Sequence, residues 1–259
     1  MNWEIFWAII TFVFGLIVGS FLNSIIYRLD DLGTIIRHRS HCPHCKKEIR
    51  WYDLVPLLSF VVLEGKCREC GKKISWQYPL VEICTALLFL AIYLNFGLTY
   101  YTLFLLIISC FLIVIFVYDW RKMIIPDIAI IPAIGIWIII WLLSIIPGVT
   151  LGLPVDFLNY LLGGLAGAGF IGLIVLLTRG KGMGVGDIKL AFLLGFICGW
   201  PLAVIGLFSA FIIGSIIGLI LLAAKIKKLK SAIPFGPFLI VGFYIALFWG
   251  EKIIGWYIK

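Results

Sequence analysis

Charge is scarce in this chain of 259 residues: Asp, Glu, Lys and Arg together make up 13% of it, against roughly 25% in an ordinary soluble domain. Histidine is scarcer still, with three copies, His38, His41 and His44, all in one loop. The apolar stretches therefore hold no Ser-His or Cys-His pair, which excludes a nucleophile of that kind from them. The first apolar run, from Trp3 to Tyr27, has no basic leading segment and no A-x-A-like cleavage site. It is also too long for a signal peptide, so it is expected to be a retained span. What fills the chain instead is apolar, 63% of all residues, more than a soluble fold can keep out of water.

The apolar residues fall in blocks long enough to cross a hydrocarbon layer about 30 Å thick, which takes about 20 residues as a helix. They do not alternate as barrel strands would, and a helix satisfies its own backbone groups where no water can. The expected fold class is an all-α polytopic membrane protein of about eight transmembrane helices with a small loop module. The spans are expected near 3–27, 79–96, 99–118, 128–147, 157–177, 187–200, 202–222 and 236–257. The sixth is short and stops at Gly199-Trp200-Pro201, so it reads equally well as half of a broken helix.

All but two of the 21 Lys and Arg residues, Lys252 and Lys259, fall in four segments: 28–78, 119–127, 178–189 and 225–230. Basic residues collect in cytoplasmic loops, so these four are expected on the cytoplasmic side of the membrane, with both termini opposite. The net charge of +8 then reflects topology and attraction to anionic membrane lipids, and nucleic-acid binding is not needed to explain it.

Within the first basic loop stand Cys42-Pro-His-Cys45 and Cys67-Arg-Glu-Cys70. Two C-x-x-C pairs at this spacing are expected to close a tetrahedral, four-thiolate zinc site. Such a site leaves no open coordination position, so the metal is structural, supplying folding energy to a loop too small to build much of a core. The expected organisation is a first transmembrane helix at 1–27, a cytoplasmic zinc-binding loop at 28–78 and a membrane-embedded core at 79–259. Cys84, Cys110 and Cys198 lie in apolar spans and are expected to be small buried hydrophobes.

Few carboxylates lie near helix ends on the basic side: Glu82, Asp119, Asp127 and Asp187. Ionisable groups at such depth are costly and mark either a functional site or a paired structural charge. Asp187 follows Gly184-Val-Gly186, where missing Cβ atoms permit tight turns and let an extended backbone approach. It reads as half of an aspartate pair or as a helix cap. Asp119 reads as the other half or as the partner of Arg121, Lys122 or Lys189. Capping is the expected role of Asp127, while Glu82 is expected to cap or to meet a loop cation. Two close carboxylates suit peptide hydrolysis, one ionised and one protonated. An ion-coupled transporter and a zinc-stabilised, non-catalytic assembly scaffold are the rival readings.

Taken in order, the motifs resemble those of the type IV prepilin leader peptidases. They include Gly19-Ser-Phe-Leu-Asn-Ser-Ile-Ile-Tyr-Arg28, the paired Cys motifs, Tyr52-Asp-Leu-Val-Pro-Leu-Leu-Ser-Phe60 and Tyr78-Pro-Leu-Val-Glu82. Beyond these come Asp119 with the downstream Ile-Pro-Asp127, Gly182-Met-Gly-Val-Gly-Asp-Ile-Lys-Leu190 and Ile233-Pro-Phe-Gly-Pro237. The resemblance implies a GxGD-type aspartic peptidase with Asp119 and Asp187 catalytic, and Gly184, Gly186, Asp127, Glu82 and Lys189 in support. It implies prepilins or pseudopilins as substrates, cut on the cytoplasmic side. It also implies methylation of the new N-terminus with S-adenosylmethionine, for which no donor-site residues are visible in the sequence.

Overall fold

The computed structural model describes residues 3–30, 40–146, 156–226 and 231–257. His38, position 147 of the expected fourth span, Lys259 and the basic residues at 227–230 lie outside the described residues. The described chain is helical, with two isolated β-bridges and no strand. Its helices are α1 (Trp3–Arg28), α2 (Leu58–Val62), α3 (Gln77–Phe96), α4 (Tyr100–Lys122), α5 (Asp127–Ser144), α6 (Phe157–Thr178), α7 (Val185–Cys198), α8 (Leu202–Ala223) and α9 (Gly236–Tyr257), with a single 3₁₀ turn at Trp51–Leu54.

Seven of these, α1, α3, α4, α5, α6, α8 and α9, are long and apolar enough to cross a membrane. The expected sixth span is the exception. Helix α7 has 14 residues, a length of about 21 Å that falls short of a hydrocarbon layer of about 30 Å. Beyond Asp187 and Lys189 in its first turns it is apolar, and Leu190, Leu193, Leu194, Phe196 and Ile197 are buried. A short helix is tolerated at membrane depth when protein surrounds it, and α7 packs against α5, α6, α8 and α9.

The chain divides into two compact units, 1–114 and 115–259. Helix α3 and most of α4, grouped from sequence with the helices that follow, belong to the first unit. The reason is visible in α1, whose Gly15-Leu-Ile-Val-Gly19 stretch lets the α3 backbone come close, as small residues four apart do between membrane helices. A Cβ on Gly15 would stand 2.6 Å from the Ala86 Cα, and one on Gly19 2.8 Å from the Glu82 Cα. One turn further, the Asn23 side-chain amide donates to the Tyr78 carbonyl at 3.1 Å.

In the second unit the tightest crossing is between α6 and α7, where Gly163 and Gly195 meet backbone to backbone. Asp156 caps α6 by accepting the Asn159 N–H at 3.2 Å. Of the remaining cysteines, Cys84 is exposed on α3, and Cys110 and Cys198 are half-buried. The expectation of burial thus fails most clearly at Cys84, which sits on a face left uncovered by the protein.

Candidate active site

Asp119 lies in the last turn of α4 and Asp187 in the first turn of α7, both within the second unit. Their residues are 4% and 8% exposed, depths at which an isolated carboxylate is costly. The two are close enough to interact electrostatically. Neither is neutralised by a cation among the described residues: Arg121 is exposed, and Lys189 turns elsewhere. The ion-pair alternative for Asp119 is therefore not realised.

Each carboxylate is held by a backbone amide at a helix N-terminus. Asp119 Oδ2 accepts the Gly236 N–H at 3.1 Å, from the first residue of α9. Asp187 Oδ2 accepts the Gly184 N–H at 2.9 Å. Gly184 is itself the N-cap of α7, so Asp187 reaches back from the third helical position and is not the cap residue. Unpaired amides and the helix dipole make such ends natural anion sites.

Glycine at 236 is required by proximity, since a Cβ there would stand 2.6 Å from Asp119 Oδ2. Ile125, in the short link between α4 and α5, packs beside both glycines. It would lie 3.0 Å from a Cβ on Gly186 and 3.3 Å from one on Gly236. Gly236 and Ile125 are the site neighbours that were not singled out from sequence. Gly236 carried two signals, its place inside the Ile233-Pro-Phe-Gly-Pro237 motif and its position before Pro237 at the head of an apolar run, but neither marked it as a partner of Asp119.

The supporting residues behave differently from expectation. Asp127 is the first residue of α5, whose N-cap is Pro126, and it makes no capping bond. Its two oxygens instead accept from Lys189 Nζ at 2.7 and 2.8 Å, tying the start of α5 to α7. Both partners are well exposed, so the pair fixes geometry more than it stabilises. Glu82 is buried in the first unit and meets the head of α2 rather than a loop cation: its Oε2 accepts the N–H of Leu57, the N-cap of that helix, at 2.9 Å.

In the first unit, the thiols of Cys42, Cys45, Cys67 and Cys70 lie within 4.8 Å of one another. Four thiolates around zinc at about 2.3 Å stand about 3.8 Å apart, and Cys42 and Cys70 are separated by 4.0 Å, so the cluster fits that ion. Two knuckles of matching form build it. In the first, Cys42 N–H donates to the Lys47 carbonyl; in the second, Cys67 N–H donates to the Lys72 carbonyl. Each is closed by a β-bridge, His41 with Glu48 and Lys66 with Lys73.

Burial pushes the Cys42 thiol up, but the amides of Cys45 and His44 and the neighbouring thiols outweigh it and bring it down to about 7. That favours the thiolate a metal needs. An ion pair between Lys47 and Glu69 at 2.7 Å joins the knuckles, and Arg68 clamps Asp53 through two nitrogens. Between the knuckles and α1 opens a cleft of about 820 Å³, lined by Phe21, Ile25 and Arg28 on one side and Glu48, Arg50, Trp51 and Tyr52 on the other.

Two buried carboxylates at one site suit hydrolytic chemistry, and the four-thiol cluster at the other could hold a metal ion. Comparison with known proteins makes this specific. A family model described as the type IV leader peptidase family matches residues 106–219, and one described as the bacterial peptidase A24 N-terminal domain matches residues 13–96. The chain belongs to the type IV leader peptidase family. It is 35% identical to the prepilin leader peptidase/N-methyltransferase of Bacillus subtilis, over 96% of this chain and 97% of that one. The protein of the same name from Legionella pneumophila is 36% identical over 100% and 96%, and that from Pseudomonas aeruginosa 31% identical over 96% and 92%. No solved structure matches the chain.

Proposed function

We propose that this protein cleaves the leader from type IV prepilins or pseudopilins with Asp119 and Asp187 as a water-activating pair, and that it methylates the new N-terminus. The observation that carries the first part is the pair itself, two buried carboxylates without a cation, each held by a helix-end amide. Like charges at close range do not both ionise easily, so the pair holds one proton in common.

The ionised member takes a proton from water as the water oxygen bonds to the scissile carbonyl carbon. The other member gives its proton to the carbonyl oxygen. When the tetrahedral intermediate collapses, the member now protonated gives its proton to the amine as the C–N bond breaks, the other takes a hydroxyl proton from the intermediate, and the pair again holds one proton. Gly184 and Gly186 keep the approach to Asp187 free of side chains, and Asp127 with Lys189 sets the spacing of α5 and α7. The distribution of basic residues supports a cytoplasmic position for both the site and the thiol module.

Zinc at Cys42, Cys45, Cys67 and Cys70 holds the module together and takes no part in hydrolysis. For methylation, S-adenosylmethionine supplies a methyl group to an amine. The cleft beside α1 carries the groups such a ligand needs: the rings of Trp51 and Tyr52 for its base and sulfonium, Glu48 for its hydroxyls or amine, and Arg28 or Arg50 for its carboxylate.

The test is incubation of the chain in a bilayer with a prepilin and methyl-labelled donor, with cleavage and label read separately. Cleavage and label are both expected for the native chain. Asp119→Asn or Asp187→Asn should lower cleavage by about 10³-fold or more while the protein still inserts. Normal cleavage by either variant refutes the pair.

A further inference from the structure

The stretch between the two knuckles has a composition that a water-exposed loop module does not need. Residues 54–63 read Leu-Val-Pro-Leu-Leu-Ser-Phe-Val-Val-Leu without a charge. The protein leaves much of it uncovered: Leu58 is 65% exposed, Val61 72% and Val62 73%. Scattered exposed apolar residues are ordinary, but a contiguous group on one short helix marks a contact surface.

Two hydrogen bonds locate that surface along the membrane helices. Ser20 Oγ donates to the Leu54 carbonyl at 3.4 Å, and Glu82 accepts from the Leu57 amide at 2.9 Å. Ser20 stands about 12 Å of helix before the end of α1 at Arg28, and Glu82 about 7.5 Å after the start of α3 at Gln77. The chain thus leaves the end of α1, builds the first knuckle, and returns alongside both spans before building the second. On the helices that flank it, Phe21 and Leu80 are also exposed, which makes α2 continuous with their outward faces.

Several backbone amides of the stretch are satisfied within the protein. The amides of Leu57, Leu58, Ser59, Val61 and Leu63 donate to Glu82, Pro56, Val55, Leu57 and Ser59 respectively, and Pro56 has no amide to satisfy. Leu57 takes a left-handed φ of 59°, which bulky residues rarely adopt, and the buried carboxylate of Glu82 holds its N–H there. Trp51 and Trp76 stand exposed at the two margins of the stretch, the placement of aromatic residues at a membrane interface, and Phe60 packs on Trp76 with ring centres 5.1 Å apart.

We propose that residues 54–63 form a re-entrant wedge that dips among the acyl chains of the bilayer crossed by α1 and α3, with Glu82 as its anchor. Its occupant is phospholipid, and Leu58, Val61 and Val62 are the residues that meet it. The two anchors, about 7.5 and 12 Å of helix from the ends of α3 and α1, place it at or somewhat beyond the roughly 5–10 Å to which interfacial helices bury their apolar faces. The wedge sets the height of the thiol module over the membrane whether or not the chain is a peptidase.

The experiment uses the unmodified chain in nanodiscs containing a phospholipid with a diazirine near the middle of its acyl chain, with adducts mapped by mass spectrometry. Adducts on 54–63 are expected at about ten times the level on 66–76. Adducts on α1 and α3 but not on 54–63 overturn the proposal. As a second arm, photoreactive benzoylphenylalanine in place of Val61 is expected to capture lipid; capture of protein alone, including a second copy of this chain, also overturns it. In Glu82→Leu the lipid adduct on 54–63 should fall, and an unchanged level would remove Glu82 as the anchor.

Discussion

The two units gather negative charge in opposite ways. In the first, four thiols converge on a point that a cation could fill, and the charges around them are paired side chain to side chain near the surface, Lys47 with Glu69 and Arg68 with Asp53. In the second, two carboxylates are buried with no cation beside them among the described residues, each accepting an amide at the head of α7 or α9. A paired charge suits a structural role, whereas a buried carboxylate without a cation is a candidate for proton exchange.

That contrast is most sharply tested by exchanging the damage. Asp187→Asn should keep its zinc and lose cleavage by about 10³-fold, while Cys67→Ser should lose zinc and keep cleavage within about tenfold. Metal analysis beside a cleavage assay reads both, and a Cys67→Ser chain as inactive as Asp187→Asn would abolish the distinction. Next in size is Gly236→Ala, whose new methyl group collides with Asp119; misplacement on that scale should cost about 10²-fold in cleavage with zinc unchanged.

Smaller effects belong to the thiol module. Trp51→Ala should weaken S-adenosylmethionine binding about tenfold by equilibrium dialysis, with cleavage as the internal control. Lys46 has φ of 60° at the position where the second knuckle has Gly71 with φ of 68°. Lys46→Gly should therefore stabilise the module by about 1 kcal/mol in thermal unfolding.

The smallest effect concerns acid. Arg68 holds the Asp53 carboxyl below the usual carboxylate range. The stability this contributes is complete above the unfolded pKa of about 4 and fades as pH falls through the lower folded value. In Asp53→Asn, that part of the acid sensitivity should vanish from a melting-temperature profile.

Much of this was legible in the sequence because the chain is so apolar. Against such a background the helices announce themselves by length, and Asp119, Asp187 and the four cysteines stand out as residues that need a reason. What stayed hidden depended on groups with no side-chain signature. The donor to Asp119 is the backbone of Gly236, more than a hundred residues away. The Asp127 carboxylate looked like a cap because Asp at a helix start usually is one, yet a cation from α7 reached it instead. Whether α7 is a full span or a short enclosed helix stays open in the sequence because apolar content is the same for a helix facing lipid and one enclosed by protein. The likeness of the knuckles was present in Cys42-Pro-His-Cys-Lys-Lys-Glu-Ile49 and Cys67-Arg-Glu-Cys-Gly-Lys-Lys-Ile74, but became clear only when Lys46 and Gly71 took the same backbone conformation.

The pairing of α1 with α3 sets a rule for which changes of length the first unit tolerates. Gly15 meets Ala86, Gly19 meets Glu82 and Asn23 meets Tyr78, so every step of four up one helix matches a step of four down the other. The connection at 29–76 can change length outside the two Cys knuckles and the anchored stretch 54–63 without disturbing that ladder. A single residue inserted between Gly15 and Asn23 is different. It would turn everything beyond it by about 100°, aiming side chains where a backbone now rests and carrying Ser20 away from Leu54. Homologues and designed chimaeras should therefore vary in length at those points of the loop and scarcely at all in the helical distance between Gly15 and Asn23.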